Sequence, residues 1–229
     1  MSRYDAIIFD LDGTLLDTLD DLRDAVNHAL AEMGWPLRSR EEIRQFVGNG
    51  VALLMERAVP AGTSSEDTSK ALGIFRDFYE LHKKDKTAPY PGVTELLKAL
   101  REKGYRLAVV SNKFDAAVKE LMVDYFPGLL HSAAGENEAA GIPKKPDPAM
   151  VLQVLNGLGI TSERAVYVGD SDVDLQTAKN AGLPCISVTW GFRDRDFLTT
   201  HGATVFADTP AEILALVLLH IGKEQRPER

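Results

Sequence analysis

Short apolar runs that alternate with helical segments constrain the fold of this chain more than any other feature. The runs are rich in β-branched residues and end in polar residues or glycine, as is typical of buried strands that reach the edge of a sheet. They occupy residues 6–9, 107–110, 165–168, 185–188 and 204–206. Strands that alternate with helices indicate βαβ units and a parallel sheet that helices cover on both faces. We therefore predict an α/β fold with a doubly wound parallel sheet.

Clear start or stop signals bound three of the helical segments. Glycine just after a helix and proline in its first turn are the usual signals. One helix is predicted at residues 94–103 before Gly104, one at residues 172–181 before Gly182, and the last begins at Pro210.

No strand run interrupts the chain between about residues 16 and 88, and the apolar spacing there is helical. A helical block that follows the first strand of an α/β pattern indicates an inserted domain. We predict an α/β core of residues 1–15 and 90–229 and a helical insert of residues 16–89. The Ser/Thr-rich segment 62–70 is expected to be a surface loop within the insert. The apolar positions that predict helix faces are Leu22, Val26, Leu30, Ile43, Phe46, Val51, Leu54, Met55, Phe75, Phe78 and Leu81.

Composition excludes several classes of function. The chain has 229 residues, 45% of them apolar, and a formal net charge of −8. The acidic balance argues against a nucleic-acid-binding surface, which needs clustered Lys and Arg, but it is compatible with a small anionic substrate. The single cysteine, Cys185, excludes an internal disulfide, and no two of the five histidines have the spacing of zinc ligands. We expect Cys185 to be a small buried hydrophobe.

We expect a cytoplasmic protein with no membrane contact. The apolar run near the N-terminus is too short for a signal peptide. The longest apolar stretch, Ile213 to Leu219, is shorter than the roughly 18 residues that span a bilayer. The polar segment 222–229 is expected to be frayed.

Four polar clusters end or follow the predicted strands. The first, Asp10-Leu11-Asp12-Gly13-Thr14, places two carboxylates two residues apart, and these repel each other unless a cation lies between them. A turn after a strand is the simpler explanation of this cluster by itself. The others are Ser111-Asn112, Lys144-Lys145-Pro146-Asp147-Pro148 and Gly169-Asp170-Ser171-Asp172-Val173-Asp174. By itself, each of these three clusters could be a helix N-cap or a solvated helix start. A single N-cap, however, accounts for only one of the three aspartates in the last cluster.

The four clusters together indicate a site for phosphoryl transfer. Ligands bind to open α/β sheets at the carboxyl ends of the strands, so residues of these clusters are expected to meet in one crevice. Carboxylates without histidine or cysteine suit a hard cation, and Mg²⁺ takes one or two carboxylates together with phosphate oxygens. The residues expected to meet there are Asp10, Asp12, Ser111 and Asp170.

The four clusters resemble the four signature motifs of the haloacid dehalogenase-like hydrolases, and together they span the whole chain. The resemblance implies a Rossmann-like core, and the helical insert resembles the C1-type cap domain of that family. Within the insert, the segments Phe46-Val47-Gly48-Asn49-Gly50 and Leu54-Met55-Glu56-Arg57-Ala58 are similar to the phosphoglycolate phosphatase branch.

The resemblance also implies a role for each motif residue. Asp10 would be the nucleophile that becomes an aspartyl-phosphate, and Asp12 would be the general acid and base. The residues implied for Mg²⁺ are Asp10, the backbone carbonyl of Asp12, and Asp170, with Asp174 as an outer acid. The residues implied for the phosphoryl oxygens are Ser111, the Asn112 amide and Lys145, with Lys144 as a competitor of Lys145. The presence of Asp12 favours a phosphatase, because the dehalogenases of the family need no acid for the leaving group.

Further residues allow both a structural and a functional interpretation. The loop residues Gly48, Asn49 and Gly50 form either a tight turn or a loop that contacts the organic end of the substrate. Arg57 lies either on a solvated helix face or against a substrate carboxylate. For the aromatic segment Trp190-Gly191-Phe192 we favour a plug for the core over a rim of the site.

We therefore expect a Mg²⁺-dependent phosphomonoesterase that acts on a small phosphorylated metabolite, with phosphoglycolate as the leading substrate. The alternatives with the same fold act on pyrophosphate or a sugar phosphate, including a phosphoglucomutase. The alternative from another class is a signalling module that accepts a phosphoryl group on Asp10 without turnover. The insert of about 70 residues and the presence of Asp12 argue against that module. A monomer or a homodimer is expected, with no nucleic-acid or membrane partner.

Overall fold

Most of the predicted strands belong to one sheet in the structure, a computed structural model that describes residues 4–137 and 141–219. The predicted frayed segment 222–229 lies outside these residues. In chain order the elements are β1 (Ala6–Phe9), β2 (Leu16–Asp17), α1 (Leu19–Glu32), α2 (Arg40–Phe46), α3 (Val51–Ala58), α4 (Ser65–His82), β3 (Ala88–Pro89), α5 (Val93–Glu102), β4 (Arg106–Phe114), α6 (Asp115–Tyr125), β5 (Ser132–Glu136), α7 (Ala149–Leu158), β6 (Ala165–Gly169), α8 (Asp172–Ala181), β7 (Cys185–Val188), α9 (Arg195–Thr200), β8 (Phe206–Ala207) and α10 (Pro210–Leu218).

The chain divides into two units. One unit is Leu16–Ala88, which contains α1 to α4. The other unit contains the residues up to Leu15 and those from Pro89 onward, and it holds the large sheet. No helix within the described ranges is both long and apolar enough to cross a membrane.

The large sheet brings the ends of its central strands to one edge. Among the described residues its strand order is β5-β4-β1-β6-β7-β8, and all neighbours are parallel. The chain runs from β1 to β4 on one side and later to β6 on the other, so β1 lies at the topological switch point. Phe9 lies opposite both Val109 of β4 and Val168 of β6. The residues that follow these positions therefore meet, and the predicted doubly wound α/β class is confirmed.

Apolar helix faces bury the central strands. β1 is fully buried along its length, as expected for a parallel strand that is covered on both faces. On one face, Ile8 and Tyr167 belong to a core cluster with Met150 of α7 and Ala178 of α8. Cys185 is partly buried against the same cluster, and burial raises the pKa of its thiol. This packing fixes the strand ends that carry the polar clusters.

The structure corrects three strand predictions. β4 does not end before Ser111 but continues to Phe114, and its register against β5 shifts between Val110 and Phe114. No apolar run predicts β5, because its sequence is Ser-Ala-Ala-Gly-Glu; its pairing with β4 makes it a strand. The last strand is Phe206–Ala207 and not residues 204–206.

In the helical unit, two predictions are wrong. The segment 62–70 is not a single loop, because α4 begins at Ser65 and Ser64 caps it by accepting a hydrogen bond from the backbone N–H of Asp67. Leu81 is 80% exposed, because the buried face of α4 follows Ala71, Phe75 and Tyr79. Leu81 lies two residues after Tyr79 and so points away from that face.

One buried carboxylate holds the C-terminal part of this unit to α1. Asp21 is 3% exposed. Its oxygens accept hydrogen bonds from the backbone N–H of Lys86, at 3.0 and 3.1 Å, and from that of Thr87, at 2.8 Å. Hydrogen bonds to a charged group contribute about 1.5–3 kcal/mol each, and a buried donor that loses its acceptor is destabilising. Asp21 therefore fixes the position of residues 86 and 87 against α1.

Asp21→Ala should lower the thermal unfolding midpoint by about 5–10 °C, because about 2–3 kcal/mol is lost and each kcal/mol corresponds to about 2–4 °C at this chain length. The matched control is Asp20→Ala, which removes a neighbouring, more exposed carboxylate that forms surface ion pairs with Arg23 and Arg40. Its midpoint should change by less than half as much. Calorimetry of both variants decides the matter, and equal losses would contradict the assigned role of Asp21.

Candidate active site

Asp10 occupies the first position beyond β1 and is 8% exposed. Its backbone N–H donates to the carbonyl of Val168 at 2.9 Å, which ties it to the end of β6. The chain then turns at Gly13, where φ is +88° and a Cβ would lie 2.3 Å from Oδ2 of Asp170. Only glycine fits a position with this φ and this close an approach. The loop after β1 is therefore built to lie directly against Asp170.

Lys145 is a buried cation beside Asp10 and Asp174. Its Nζ lies 2.8 Å from Oδ1 of Asp10 and 2.8 Å from Oδ1 of Asp174, and it donates to the Tyr167 hydroxyl at 3.2 Å. Burial opposes its charge, but Asp10 and Asp174 raise the pKa of Lys145 above its usual value. Lys144 instead forms an ion pair with Glu136 at 3.4 Å. The structure therefore places Lys145, and not Lys144, among the carboxylates.

Asp170 lies just beyond β6 and is held by two donors. Oδ1 accepts from the Thr14 hydroxyl at 3.0 Å, and Oδ2 accepts from the backbone N–H of Phe192 at 2.7 Å. Burial and the neighbouring Asp174 carboxylate raise the pKa of Asp170 to about 7. Burial and Asp174 likewise raise the pKa of Asp10 well above its usual value, against the attraction of Lys145. Burial and like charge therefore disfavour the ionised form of both carboxyl groups.

Asp174 accepts from more protein donors than Asp170 does, and one of them is the ammonium group of Lys145. Oδ2 accepts from the backbone N–H groups of Asp170 and Ser171 and from the Ser171 hydroxyl, which completes a capping box at the start of α8. Oδ1 lies against Lys145 and accepts from the Tyr167 hydroxyl at 3.1 Å. The role of Asp174 as an outer acid of the site stays a prediction.

The acidic cluster fits a divalent cation such as Mg²⁺. Asp10, Asp170 and Asp174 each offer an oxygen, and these atoms lie within 4.8 Å of one another. Three carboxylates lie around the ammonium group of Lys145, and burial together with the Asp174 charge raises the pKa values of Asp10 and Asp170. The donor set contains only oxygen atoms, which Mg²⁺ prefers. Asp10 and Asp170 are the residues best able to hold the ion.

A model of the haloacid dehalogenase-like hydrolase family matches residues 7–188. This range includes all four polar clusters. The chain belongs to the haloacid dehalogenase-like hydrolase family. The resemblance stated from the motifs is thus confirmed.

Several relatives in this family are similar over most of their length. The phosphoglycolate phosphatase of Pseudomonas putida is 36% identical over 215 residues, which cover 91% of this chain and 75% of the relative. The phosphoglycolate phosphatase of Mesorhizobium japonicum is 38% identical over 192 residues, which cover 82% and 84%.

Solved structures of this family share the fold. A candidate phosphoglycolate phosphatase from Lactobacillus delbrueckii subsp. bulgaricus has a TM-score of 0.90 and 38% identity, over 95% of this chain and 99% of that one. CbbY from Rhodobacter sphaeroides, in complex with xylulose-1,5-bisphosphate, has a TM-score of 0.73 and 28% identity, over 95% of this chain and 99% of that one.

Within this hydrolase, Ser111 and Asn112 lie in the irregular end of β4. The Ser111 hydroxyl is buried and accepts from the backbone N–H of Lys113 at 3.2 Å. The side-chain amide of Asn112 donates to the carbonyl of Lys145 at 3.1 Å, and its oxygen accepts from the Lys145 backbone N–H at 2.8 Å. The Asn112 side chain therefore positions the Lys145 segment. Phosphate binding by Ser111 and Asn112 stays a prediction.

The structure adds residues that the motifs do not include. Lys113 contacts both oxygens of Asp12. Its position directly after Ser111-Asn112 is a sequence signal that could have marked it as a site residue. Tyr167 could have been found as a polar residue within an apolar strand. The backbone N–H of Phe192 has no sequence signal, since any residue supplies one. The expected core plug at residues 190–192 is confirmed for the Phe192 side chain, which is 6% exposed and belongs to the buried core. The segment also contacts the site, because the backbone N–H of Phe192 donates to Asp170 and the Trp190 indole donates to the Thr14 carbonyl at 3.0 Å.

In the helical unit, Gly48, Asn49 and Gly50 connect α2 to α3. The two glycines have φ values of +119° and +87°. Arg57 donates to the carbonyl of Phe46 at 2.7 Å and to Oδ1 of Asn49 at 3.3 Å. Arg57 therefore fixes this turn, and a contact of the turn with substrate stays a prediction.

Mg²⁺ should raise the thermal midpoint of the protein at pH 8, by about 5–10 °C at a hundredfold excess over its dissociation constant. Asp170→Asn should lose most of this rise, and in EDTA its midpoint should equal or exceed that of the wild type. The second expectation follows because a pKa of about 7 makes the charge of Asp170 destabilising above that pH when no cation is bound.

The matched control is Asp208→Asn, which removes an exposed carboxylate of the same unit that pairs with Arg195. It should keep the full Mg²⁺-induced rise in differential scanning fluorimetry. An undiminished rise in the Asp170→Asn variant would exclude Asp170 from the cation site.

Proposed function

We propose that this protein is a Mg²⁺-dependent phosphomonoesterase that hydrolyses phosphoglycolate through an aspartyl-phosphate intermediate. The observation that carries the proposal is a buried carboxylate at a strand end, Asp10, held against Lys145 inside an acidic cluster that fits a cation. Relatives at 36–38% identity over most of the chain are named phosphoglycolate phosphatase, which supports the substrate. A cytoplasmic location and a monomeric or homodimeric state complete the proposal.

In the first half-reaction, a carboxylate oxygen of Asp10 attacks the phosphorus atom of the substrate. The new bond joins this oxygen to phosphorus, and the bond between phosphorus and the substrate's ester oxygen breaks. Asp12, two residues further along the loop, donates a proton to the departing alkoxide. The alcohol is glycolate when the substrate is phosphoglycolate. The phosphoryl group is now an acyl phosphate on Asp10.

In the second half-reaction, water attacks the phosphorus atom of the aspartyl-phosphate. Asp12, now a carboxylate, removes a proton from this water as it attacks. The bond between phosphorus and the Asp10 oxygen breaks, which releases inorganic phosphate and restores the Asp10 carboxylate. One residue thus serves as acid and then as base, so that both protons balance over the cycle.

The other groups of the site offset negative charge. Mg²⁺, when bound, screens the repulsion between the carboxylates and the phosphoryl oxygens. Lys145 supplies a fixed positive charge beside Asp10, and Asp174 and Tyr167 hold that ammonium group in place. Ser111 and Asn112 would add hydrogen bonds to the phosphoryl oxygens. We assign the unit Leu16–Ala88 as the cap, with Gly48, Asn49 and Gly50 as contacts for the organic part of the substrate.

A sugar phosphate is the second candidate substrate. The observation that favours it is the similarity to CbbY, whose solved structure contains xylulose-1,5-bisphosphate. The chemistry at Asp10 would be the same, since only the group bonded to the ester oxygen differs. Substrate specificity, and not the reaction mechanism, therefore distinguishes the two candidate substrates.

Asp10→Asn should lower kcat by about 10⁴-fold or more, the scale on which removal of a nucleophile acts, because an amide cannot form the aspartyl-phosphate. The fold should remain, and part of the Mg²⁺-induced stabilisation should be lost, because Asp10 is one of the two residues assigned to hold the ion. The matched control is Asp172→Asn, which lies in the same acidic motif but outside the cluster of three, and it should keep wild-type turnover. Phosphate release measures both variants, and turnover by Asp10→Asn would refute the nucleophile.

A phosphate-release screen with Mg²⁺ should rank phosphoglycolate first by kcat/KM among phosphoglycolate, sugar phosphates and pyrophosphate. A higher rank for a sugar phosphate would establish the second candidate instead. A stable phosphoaspartate without phosphate release from any compound would indicate the signalling module and would contradict the proposed hydrolase.

A further inference from the structure

A second buried lysine contacts the other aspartate of the first motif. Nζ of Lys113 lies 2.8 Å from Oδ1 and 3.0 Å from Oδ2 of Asp12. The Lys113 side chain is 6% exposed and that of Asp12 is 19% exposed. Contacts from one ammonium group to both oxygens restrict rotation of the Asp12 carboxyl group about its Cβ–Cγ bond.

The backbone that carries Lys113 is itself closely held. Its N–H donates to the Ser111 hydroxyl at 3.2 Å. On the neighbouring strand, a Cβ at Gly135 would lie 2.5 Å from the Lys113 carbonyl oxygen. The N–H of Gly135 in turn donates to Asp115 at 3.0 Å. Because Gly135 has no side chain, β5 can pack closely against β4 at Lys113.

The two buried lysines contact different aspartates. Lys145 contacts Asp10 and Asp174, whereas Lys113 contacts Asp12. A buried ammonium group is destabilising unless a carboxylate or other acceptor compensates it, so each lysine is expected to stay on its acid. Asp12 lies on a loop, and without such a partner its carboxyl group would be free to rotate among several rotamers.

We propose that Lys113 is a positioning residue for the Asp12 carboxyl group. It would contact one oxygen while the other carries the proton for the leaving group, and both oxygens once Asp12 is the carboxylate that accepts a proton from water. The proposal rests on the proposed phosphatase function. It assigns Lys113 no contact with the reacting atoms. Its effect should therefore depend on how much a substrate needs a proton from Asp12.

The test compares two leaving groups in stopped-flow experiments with the full chain and Mg²⁺. The alkoxide of phosphoglycolate needs a proton, whereas the phenolate of 2,4-dinitrophenyl phosphate leaves without one. Lys113→Met should lower kcat for phosphoglycolate by about 10²-fold, the lower range for general acid–base catalysis, with little change in KM. With dinitrophenyl phosphate, the first burst of dinitrophenolate should keep its rate while the later steady state slows, because water attack still needs Asp12.

Three further variants sharpen the comparison. Lys113→Arg should recover part of the lost rate, because its guanidinium group can also contact both carboxylate oxygens. Lys113→Met should add nothing in an Asp12→Asn background, since a residue that acts through Asp12 has no effect without it. Lys119→Met is the matched control: this exposed lysine pairs with Asp115 at 2.6 Å and should change no rate.

Several results would overturn the proposal. A burst with dinitrophenyl phosphate that slows as much as turnover of phosphoglycolate would assign Lys113 to the phosphoryl group or to folding. A raised KM for phosphoglycolate with an unchanged kcat would make it a substrate-binding residue. Unchanged rates, or additive losses with Asp12→Asn, would exclude any action through Asp12.

The proposed substrate and the role of Lys113 can fail separately. If the wild type hydrolyses dinitrophenyl phosphate but not phosphoglycolate, the substrate assignment is wrong. The ratio of burst to steady-state rate with dinitrophenyl phosphate alone then still decides the role of Lys113. If the wild type releases no phosphate from any ester, the proposed function itself fails, and Lys113 with it.

Discussion

The site depends on one electrostatic constraint, the burial of three carboxylates around a single ammonium group. Lys145 contacts Asp10 and Asp174, but it cannot also neutralise Asp170. Burial is the largest cause of the raised pKa values of Asp10 and Asp170, and the neighbouring Asp174 carboxylate raises both further. A divalent cation resolves the conflict and at the same time prepares the site for a phosphate group, which the acids alone would repel. The acidic cluster is therefore expected to bind a cation even when no substrate is present.

The fold maintains this unfavourable arrangement through close backbone contacts. The parallel sheet brings the ends of β1, β4 and β6 to one edge, and the capping box of α8 uses Asp174 both to start a helix and to orient Lys145. Glycines allow the approach: a Cβ at Gly169 would lie 2.4 Å from Asp174, and one at Gly191 would lie 2.4 Å from Cβ of Asp170. A larger residue at either position would displace an acid of the cluster, so these glycines belong to the site as much as to the loops.

The sequence was sufficient for the fold class and for the acids that meet at the sheet edge, because apolar runs and polar clusters carry those signals. It was not sufficient for β5, whose small residues form a strand only through pairing with β4. Nor could it show that the Asn112 side chain binds the Lys145 backbone, or that Lys113 reaches Asp12, since both contacts depend on the shifted register at the end of β4. Contacts made by backbone N–H groups, such as that of Phe192, cannot be predicted from residue type, because almost every residue has such a group.

The central claim is that Asp10 carries the phosphoryl group during turnover. The most direct measurement is acid quenching within the first turnover, followed by proteolysis and mass spectrometry of the peptide that contains Asp10. The account predicts that this peptide gains the mass of one phosphoryl group when Mg²⁺ and substrate are both present, and that EDTA prevents the gain. With dinitrophenyl phosphate, whose leaving group needs no proton, Asp12→Asn should increase the amount of phosphorylated peptide, because it slows only the hydrolysis of the intermediate. Rapid turnover without any phosphorylated Asp10 peptide, or with the phosphoryl group on another residue, would contradict it.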